Sequence, residues 1–123
     1  MENVIHSHRD LKVWQKAMDL TVEIYRLAAK LPRSETYRLV NQITRAAASV
    51  PANLAEGHAR ATRKDFANFV AIARGSLMET ETFLMLAVRL NYVVESDAAA
   101  AFGLITENSK MLTALRNRLK EPE

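Results

Sequence analysis

The stretch that decides the fold is residues 42–60, QITRAAASVPANLAEGHAR. Placed on a helix, apolar side chains in and just before it recur every three or four residues and form one stripe, namely Leu39, Ile43, Ala46, Val50 and Leu54. The alanines around this stripe are small, so another helix can approach closely. Arg45, Asn53 and Glu56 lie on or beside the same contact surface. They must be paired or hydrated there, because an unpaired buried polar group costs roughly 1–3 kcal/mol.

Pro51 divides this stretch and leaves two interpretations open. Proline cannot donate a hydrogen bond to the carbonyl of Ala47, and in a helix interior it costs ~3 kcal/mol and bends the axis. One interpretation is a single helix from about residue 35 to 60, kinked at Pro51. The other is a helix that ends near Val50 and a second that starts at Pro51, where proline suits the first turn. The apolar spacing continues through Leu54, which favours the kinked helix.

Composition predicts one compact domain over residues 1–123. Apolar residues make up 49% of the chain and charged residues 25%, which is typical of a globular protein rather than a disordered one. There is no cysteine, which excludes disulfides, thiolate catalysis and zinc–thiolate sites. No uncharged run approaches the ~20 residues of a membrane span, and the first residues lack the apolar core of a signal peptide. We therefore expect no membrane association and a cytoplasmic location.

Periodicity and capping residues predict four helices, at about residues 8–31, 35–60, 63–91 and 96–120. The expected N-terminal caps are Ser7 (in a capping box with Asp10), Ser34, Thr62 and Ser96. Four helices with short connections favour antiparallel neighbours. The predicted fold is therefore all-α, an antiparallel up-down-up-down four-helix bundle.

The first helix has two apolar stripes, and one is enough for a bundle core. One stripe comprises Val13, Ala17, Leu20, Ile24, Leu27 and Leu31. The other comprises Leu11, Trp14, Met18, Val22, Tyr25 and Ala29. We expect the second stripe to be covered by another subunit of a homo-oligomer; the alternative is a broad core face.

Gly75 lies in the middle of the third helix, where glycine costs ~1 kcal/mol relative to alanine. A close helix crossing at Gly75 and Ser76 is the expected compensation. On this interpretation Gly75→Leu disrupts the bundle or its assembly.

Four segments in this order, LKVWQKA, QITRAAASVPANLAEG, FANFVAIARGSLMETET and LAVRLNY, resemble the family encoded within intervening sequences of bacterial 23S ribosomal RNA genes. The resemblance covers residues 10–92; Thr44 stands where the family usually has the first of two arginines. It implies a left-handed four-helix bundle that forms a homopentamer and has no enzymatic activity. A relative, the accessory variability protein of diversity-generating retroelements, is a basic pentamer that binds a reverse transcriptase and nucleic acid.

We find no set of catalytic, cofactor-binding or metal-ligating residues in the sequence. His6, His8 and His58 are the only histidines, and no phosphate loop, nucleophile elbow or HExxH motif occurs. A di-iron site in a helix bundle needs Glu-x-x-His pairs, and no histidine follows Glu79 or Glu81 at that spacing. We expect Glu56 and Glu79 to pair with Arg45 or Arg74 instead, and we predict that the protein is not an enzyme.

The functional prediction concerns one end of the bundle. In an up-down-up-down bundle, the starts of helices 1 and 3 and the ends of helices 2 and 4 share this end, which we call the basic end. It gathers Arg9, Lys12, Lys16, Arg60, Arg63, Lys64, Arg116, Arg118 and Lys120. Repeated around a fivefold ring, these cations would attract polyanions.

Aromatic residues fall mostly at core-like positions, so binding would be to the RNA or DNA backbone and tolerant of sequence. One alternative for the basic end is a solvated surface without a partner. The alternative function is a protein-interaction scaffold or accessory subunit that binds no nucleic acid.

Overall fold

The computed structural model describes residues 6–122; of the predicted domain, residues 1–5 and 123 lie outside the described part. The elements are a 3₁₀ turn at His8–Asp10, α1 (Lys12–Ala28), a 3₁₀ turn at Arg33–Glu35, a π-helical turn at Thr36–Val40, α2 (Asn41–His58), α3 (Arg63–Arg89) and α4 (Glu95–Lys120). Helices α1 and α3 each pack against both α2 and α4. No strand occurs in residues 6–122. The all-α four-helix bundle predicted from the sequence is confirmed.

The bundle core is made of aliphatic side chains at helical spacing from all four helices. Its largest fully buried side chains include Leu20, Ile24, Leu27, Leu54, Leu77, Leu84, Ile105 and Leu112. The first apolar stripe of α1 is buried from Val13 to Leu27, which follows from its period of three and four residues. Most of the second stripe is not covered within the protomer, where Val22 is 68% exposed and Tyr25 56% exposed, whereas Leu11 and Trp14 at its start pack against the core.

Helix α2 passes through Pro51 as one helix, so the alternative of two separate helices is wrong. Pro51 is buried and has no N–H for the carbonyl of Ala47. The hydroxyl of Thr21 in α1 lies 3.1 Å from that carbonyl oxygen and 2.8 Å from the carbonyl oxygen of Ala17, one turn before it. The single hydroxyl proton of Thr21 is shared between these two carbonyls, so Thr21 replaces in part the donor that Pro51 lacks.

The cap predicted at Thr62 is confirmed, whereas the capping box predicted at Ser7 forms but caps only the 3₁₀ turn. Helix α1 starts at Lys12, after an extended Leu11 and without a side-chain cap, and not at about residue 8 as predicted. The Ser7 hydroxyl accepts from the backbone N–H of Arg9 at 3.2 Å, and the Asp10 carboxylate accepts from the N–H of Ser7, which completes a capping box. Thr62 accepts from the N–H of Asp65 at 3.1 Å and caps α3. These bonds satisfy N–H groups that have no partner within their helices.

The caps predicted at Ser34 and Ser96 are wrong. Pro32 has an extended backbone and is the residue before the 3₁₀ turn, which starts at Arg33. Ser34 therefore lies inside the turn and cannot cap it. The side chain that caps the next turn is that of Glu35, which accepts from the N–H of Leu39 at 3.4 Å. Val94 is the extended residue before α4, which starts at Glu95 without a side-chain cap. Carboxylates in that first turn interact favourably with the helix dipole instead.

The close helix crossing predicted at Gly75 is also wrong. Gly75 is exposed, and a Cβ built there would contact no other side chain or neighbouring helix within 4 Å. The close contact involves Gly57, where a Cβ would lie 2.6 Å from the Cβ of Phe69 and 3.0 Å from Cδ1 of Phe66. Helices α2 and α3 therefore approach most tightly where glycine leaves room for two phenylalanines.

Helix α3 ends in a Schellman motif that positions Tyr92. Asn91 adopts a left-handed conformation with φ 64°, and the N–H groups of Asn91 and Tyr92 donate to the carbonyls of Val88 and Ala87. The Tyr92 hydroxyl then donates to Glu35 at 2.9 Å. The end of α3 is thereby tied to the residue that caps the π-helical turn before α2.

Candidate functional site

The basic end is assembled from three helix termini that contact one another directly and from the start of α1. The Arg63 guanidinium donates to the carbonyl of Arg118 at 2.5 Å, which joins the start of α3 to the end of α4. The His58 ring meets the Phe66 ring edge-on at 5.6 Å, which joins the end of α2 to the start of α3. The 3₁₀ turn before α1 packs against α2.

The nine predicted cations differ in exposure. Most of them have exposed side chains, namely Arg9, Lys12, Arg60, Arg63, Lys64, Arg118 and Lys120. Lys16 is half-buried and forms an ion pair with Glu107 of α4 at 3.4 Å. Arg116 is half-buried too, and its Nε is buried without a hydrogen-bond partner. Lys16 and Arg116 are therefore turned toward the bundle more than the others.

Arg60 has a structural role as well as a charge. Its guanidinium lies 4.8 Å from the centre of the Phe69 ring and donates to Glu56 at 2.8 Å. The predicted pairing of Glu56 with Arg45 or Arg74 is therefore wrong, because Arg60 is one helical turn away on the same face. Such an exposed pair contributes only about 0.3–0.5 kcal/mol, so it holds Arg60 loosely.

Asp10 is an acidic residue of the basic end whose carboxylate is already engaged. Backbone N–H groups of His6 and Ser7 donate to it and lower its pKa. The carboxylate stays charged at neutral pH, and its Oδ2 accepts both hydrogen bonds from the backbone next to it. Asp10 therefore acts as a cap.

Some charges toward the opposite end of the bundle form ion pairs within the protomer, whereas Arg33 and Arg89 at that end are exposed. Asp97 of α4 lies 2.5 Å from Lys30 and 3.4 Å from Arg26, and Arg26 also binds Glu23 at 2.5 Å. The hydrogen bond from Lys30 lowers the pKa of Asp97, and that from Arg26 lowers the pKa of Glu23. At the basic end, Arg60 pairs with Glu56 and Lys16 with Glu107, whereas Lys12, Lys64 and Lys120 are exposed.

A second exposed surface, which we call the α1 stripe, runs along α1. It consists of Trp14, Met18, Val22 and Tyr25. Met18 is 41% exposed, and Trp14 is half-buried with its ring 5.0 Å from that of His8. Large apolar side chains that share one helix face and lie in water are typical of a protein-interaction surface.

The α2–α3 groove is a third feature and one that the sequence does not predict. Its volume is about 540 Å³, and its lining includes Arg38, Arg45, Ser49, Ser76, Glu79 and Phe83. Periodicity places Arg45 beside a contact surface and Phe83 in the core, but it does not join them in one cavity. Arg38, Gln42, Arg45 and Ser49 follow each other at three- or four-residue spacing on α2, and this polar stripe is the signal that could have indicated the groove.

Within residues 6–122, no three His, Asp or Glu side chains come together in a way that could hold a metal ion. In the same part of the chain, no helix has the length and hydropathy needed to cross a membrane.

Comparisons with known proteins agree with this fold. The chain is similar to a crystal structure of a protein of unknown function from the S23 ribosomal protein family of Bacteroides thetaiotaomicron. The two share 28% identity and superpose with a TM-score of 0.78 over 89% of this chain and 99% of the other. No curated protein matches the sequence. The family model described as 23S rRNA-intervening sequence protein matches residues 9–114, so the chain belongs to that family.

Proposed function

We propose that this protein is a non-enzymatic homo-oligomer that binds the phosphate backbone of RNA or DNA through its basic end. The observation that carries the proposal is the set of exposed lysines and arginines contributed by different helices to one end of the bundle. Phosphate contacts need cations rather than a shaped pocket, and backbone contacts position a protein without reading sequence.

Electrostatics support the choice of this end over the other. The formal charge of the chain is only +3, so its distribution matters more than its sum. The opposite end mixes cations and carboxylates in similar numbers, namely Lys30, Arg33, Arg38 and Arg89 with Glu35, Glu95 and Asp97. The nine cations of the basic end outnumber the carboxylates there, namely Asp10, Glu56, Asp65, Glu107 and Glu121. At the basic end, Lys12, Lys64 and Lys120 are exposed and come from three different helices.

The test is binding to a structured RNA at several salt concentrations. Replacing Lys12, Lys64 and Lys120 by alanine should weaken binding at ~50 mM salt and flatten the dependence of log K on log salt, by ~0.7–0.9 for each phosphate that the variant no longer neutralises. The matched control replaces Arg33, Arg74 and Arg89, three exposed arginines outside the basic end, which changes the charge equally. Equal losses of affinity in both variants would mean that only the net charge matters and not the basic end. No binding by the parent protein would overturn the proposal.

The homo-oligomer is supported by the α1 stripe. Val22 and Tyr25 are large, apolar and more than half exposed, and burying an apolar side chain of this size contributes about 1.5–3 kcal/mol. A ring of subunits, five as the resemblance implies, would cover this stripe and repeat the basic end around its axis. Several weak phosphate contacts would then act together.

Native mass tests the assembly separately. The parent protein should have a mass that is a multiple of 13.8 kDa, and Val22→Glu should reduce it to the monomer because a charge would be buried in the interface. Ala114→Glu adds the same charge at an exposed site on α4 and should keep the assembly. A monomeric parent, or an unchanged mass in Val22→Glu, would contradict the role of the stripe.

A further inference from the structure

The α2–α3 groove lies apart from the basic end and is not used by the proposed function. It opens beside the first half of α2, at residues 37–49, and beside residues 76–83 of α3. Its volume of about 540 Å³ falls within the range of ~300–1,000 Å³ that small-molecule sites occupy. We propose that this groove binds a small phosphorylated ligand with an aromatic ring, namely a nucleoside monophosphate.

The charges of the groove favour an anion. Arg38 and Arg45 contribute two guanidinium groups to the lining, and Glu79 contributes one carboxylate. All three side chains are accessible to solvent, so a ligand can reach them. A guanidinium offers several N–H donors in a plane and can bind a phosphate with two parallel hydrogen bonds.

The floor of the groove provides a hydroxyl donor as well. Ser49 Oγ and Ser76 Oγ are 2.9 Å apart, and Asn53 Nδ2 donates to Ser49 Oγ at 2.8 Å. The two serines have two hydroxyl protons, and only one of them is used between the serines. The other proton can be donated to an acceptor such as a phosphate oxygen.

Aromatic rings at the groove can bind the base of the nucleotide. Tyr37 is 92% exposed and Phe83 is half-buried, and both line the groove. A flat apolar ring can pack against such side chains, and stacking of a base on an aromatic ring is worth ~1–3 kcal/mol. Glu79 can accept hydrogen bonds from ribose hydroxyls or from an amino group of the base.

The local backbone supports a binding role for this region. Tyr37 and Arg38 belong to the π-helical turn Thr36–Val40. Such turns are rare in proteins, and those that occur are often found at functional sites. The turn is held by Glu35, which accepts from the N–H of Leu39 and from the hydroxyl of Tyr92. The two side chains are thus presented from an anchored turn.

The test measures the affinity of the parent protein for AMP, GMP, CMP and UMP by calorimetry. We expect at least one of them to bind with a Kd below ~1 mM. Ribose 5-phosphate, which lacks the base, and adenosine, which lacks the phosphate, should each bind the protein at least ~10-fold more weakly than AMP, because each lacks either the stacking or the charged hydrogen bonds of the nucleotide.

Two variants locate the site. Arg45→Gln should weaken binding of the best nucleotide at least ~10-fold, because a charged hydrogen bond to phosphate is removed. Arg74→Gln makes the same change at an exposed position of α3 outside the groove lining and should bind normally. If no mononucleotide binds at ~1 mM, or if Arg45→Gln binds as well as the parent, the proposal is wrong.

This result is separable from the proposed function. The variant without Lys12, Lys64 and Lys120 keeps the whole groove lining and should bind the nucleotide like the parent. Loss of nucleotide binding in that variant would place the nucleotide at the basic end and overturn the groove site.

Discussion

Helices α2 and α3 pack differently at their two ends. Near Gly57 they are in direct contact, with space for no more than a hydrogen atom before Phe69. Near Arg45 they enclose an open groove of about 540 Å³. Between these regions the contact is polar, through the 2.9 Å hydrogen bond between Ser49 and Ser76. The spacing of the two helices thus follows side-chain size and polarity, from glycine through serine to arginine and glutamate.

The difference also separates two chemical surfaces. Near the contact of Gly57 with Phe69, α3 carries the exposed cation Lys64. At the open end, Arg45 and Glu79 stay in water because burying either charge without a partner would be costly. A flat polyanion suits the first surface, whereas a small ligand suits the second.

The largest effect is expected from closing the space at Gly57. Gly57→Leu forces a side chain into the Cβ of Phe69, which cannot swing away because it is attached to the backbone. Overpacking of this kind costs typically 1–3 kcal/mol and here should reach ~3 kcal/mol or more, measured by urea denaturation.

Gly75→Leu is the matched control for that substitution. Space is open at Gly75, and leucine is a better helix former than glycine by ~1 kcal/mol, so stability should stay the same or rise. A protein destabilised equally by the two changes would contradict the contrast between a closed and an open helix pair.

The next effect concerns Pro51, which lies between the two ends. Thr21→Val leaves the Ala47 carbonyl without the Thr21 hydroxyl and should cost ~1–3 kcal/mol. In a Pro51→Ala background the helix can supply its own N–H, so the same change should cost less. A double-mutant cycle should show coupling of at least ~0.5 kcal/mol, and strict additivity would show that Thr21 does not replace the missing donor.

A smaller effect is expected at the polar contact between the ends. Ser49→Ala removes a hydroxyl that bonds Ser76 and Asn53 and should cost ~0.5–1.5 kcal/mol of stability in urea denaturation. Adding Ser76→Ala should cost little more, because the partner is then removed too. Thr82→Ala, at an exposed hydroxyl on α3, is the control and should be nearly neutral. A Ser49→Ala protein as stable as the control would mean that this hydrogen bond does not set the spacing.

The smallest effect is a change in pH dependence at the open end. The bond from the Tyr92 hydroxyl to Glu35 raises the pKa of Tyr92 above its ordinary value. A raised folded-state pKa contributes stability below the unfolded-state pKa of ~10, and this contribution is lost as the pH rises through the folded-state pKa. Between about pH 9 and 11, the melting temperature of the parent should therefore fall more steeply with rising pH than that of Tyr92→Phe. Parallel curves would show that the bond to Glu35 contributes nothing.

Much of the fold was predictable because the spacing of Val13, Ala17, Leu20 and Ile24 determines which face is buried. The caps at Ser7 and Thr62 were predictable because their bonds lie within three residues. The cap at Ser34 was not, since Pro32 starts the turn earlier and Glu35 is held by Tyr92 from a distant part of the chain.

The candidate sites were predictable only in part. Helix direction alone brings Arg63 near Arg118 once the bundle is antiparallel. Periodicity does not say whether two helices touch or diverge, so it neither distinguishes the open site at Gly75 from the close contact at Gly57 nor predicts the groove. The exposure of the α1 stripe also depends on which helices lie next to α1, and the spacing of apolar residues does not predict those neighbours.

The most direct test of the account is RNA binding across a salt series by the parent and two variants. One variant lacks Lys12, Lys64 and Lys120 at the basic end, and the other carries Arg45→Gln in the α2–α3 groove. We expect a steep salt dependence in the parent, a weaker and flatter one without the three lysines, and a normal one in Arg45→Gln. Loss of binding only in Arg45→Gln, or no binding by the parent at ~50 mM salt, would contradict the assignment of nucleic-acid binding to the basic end.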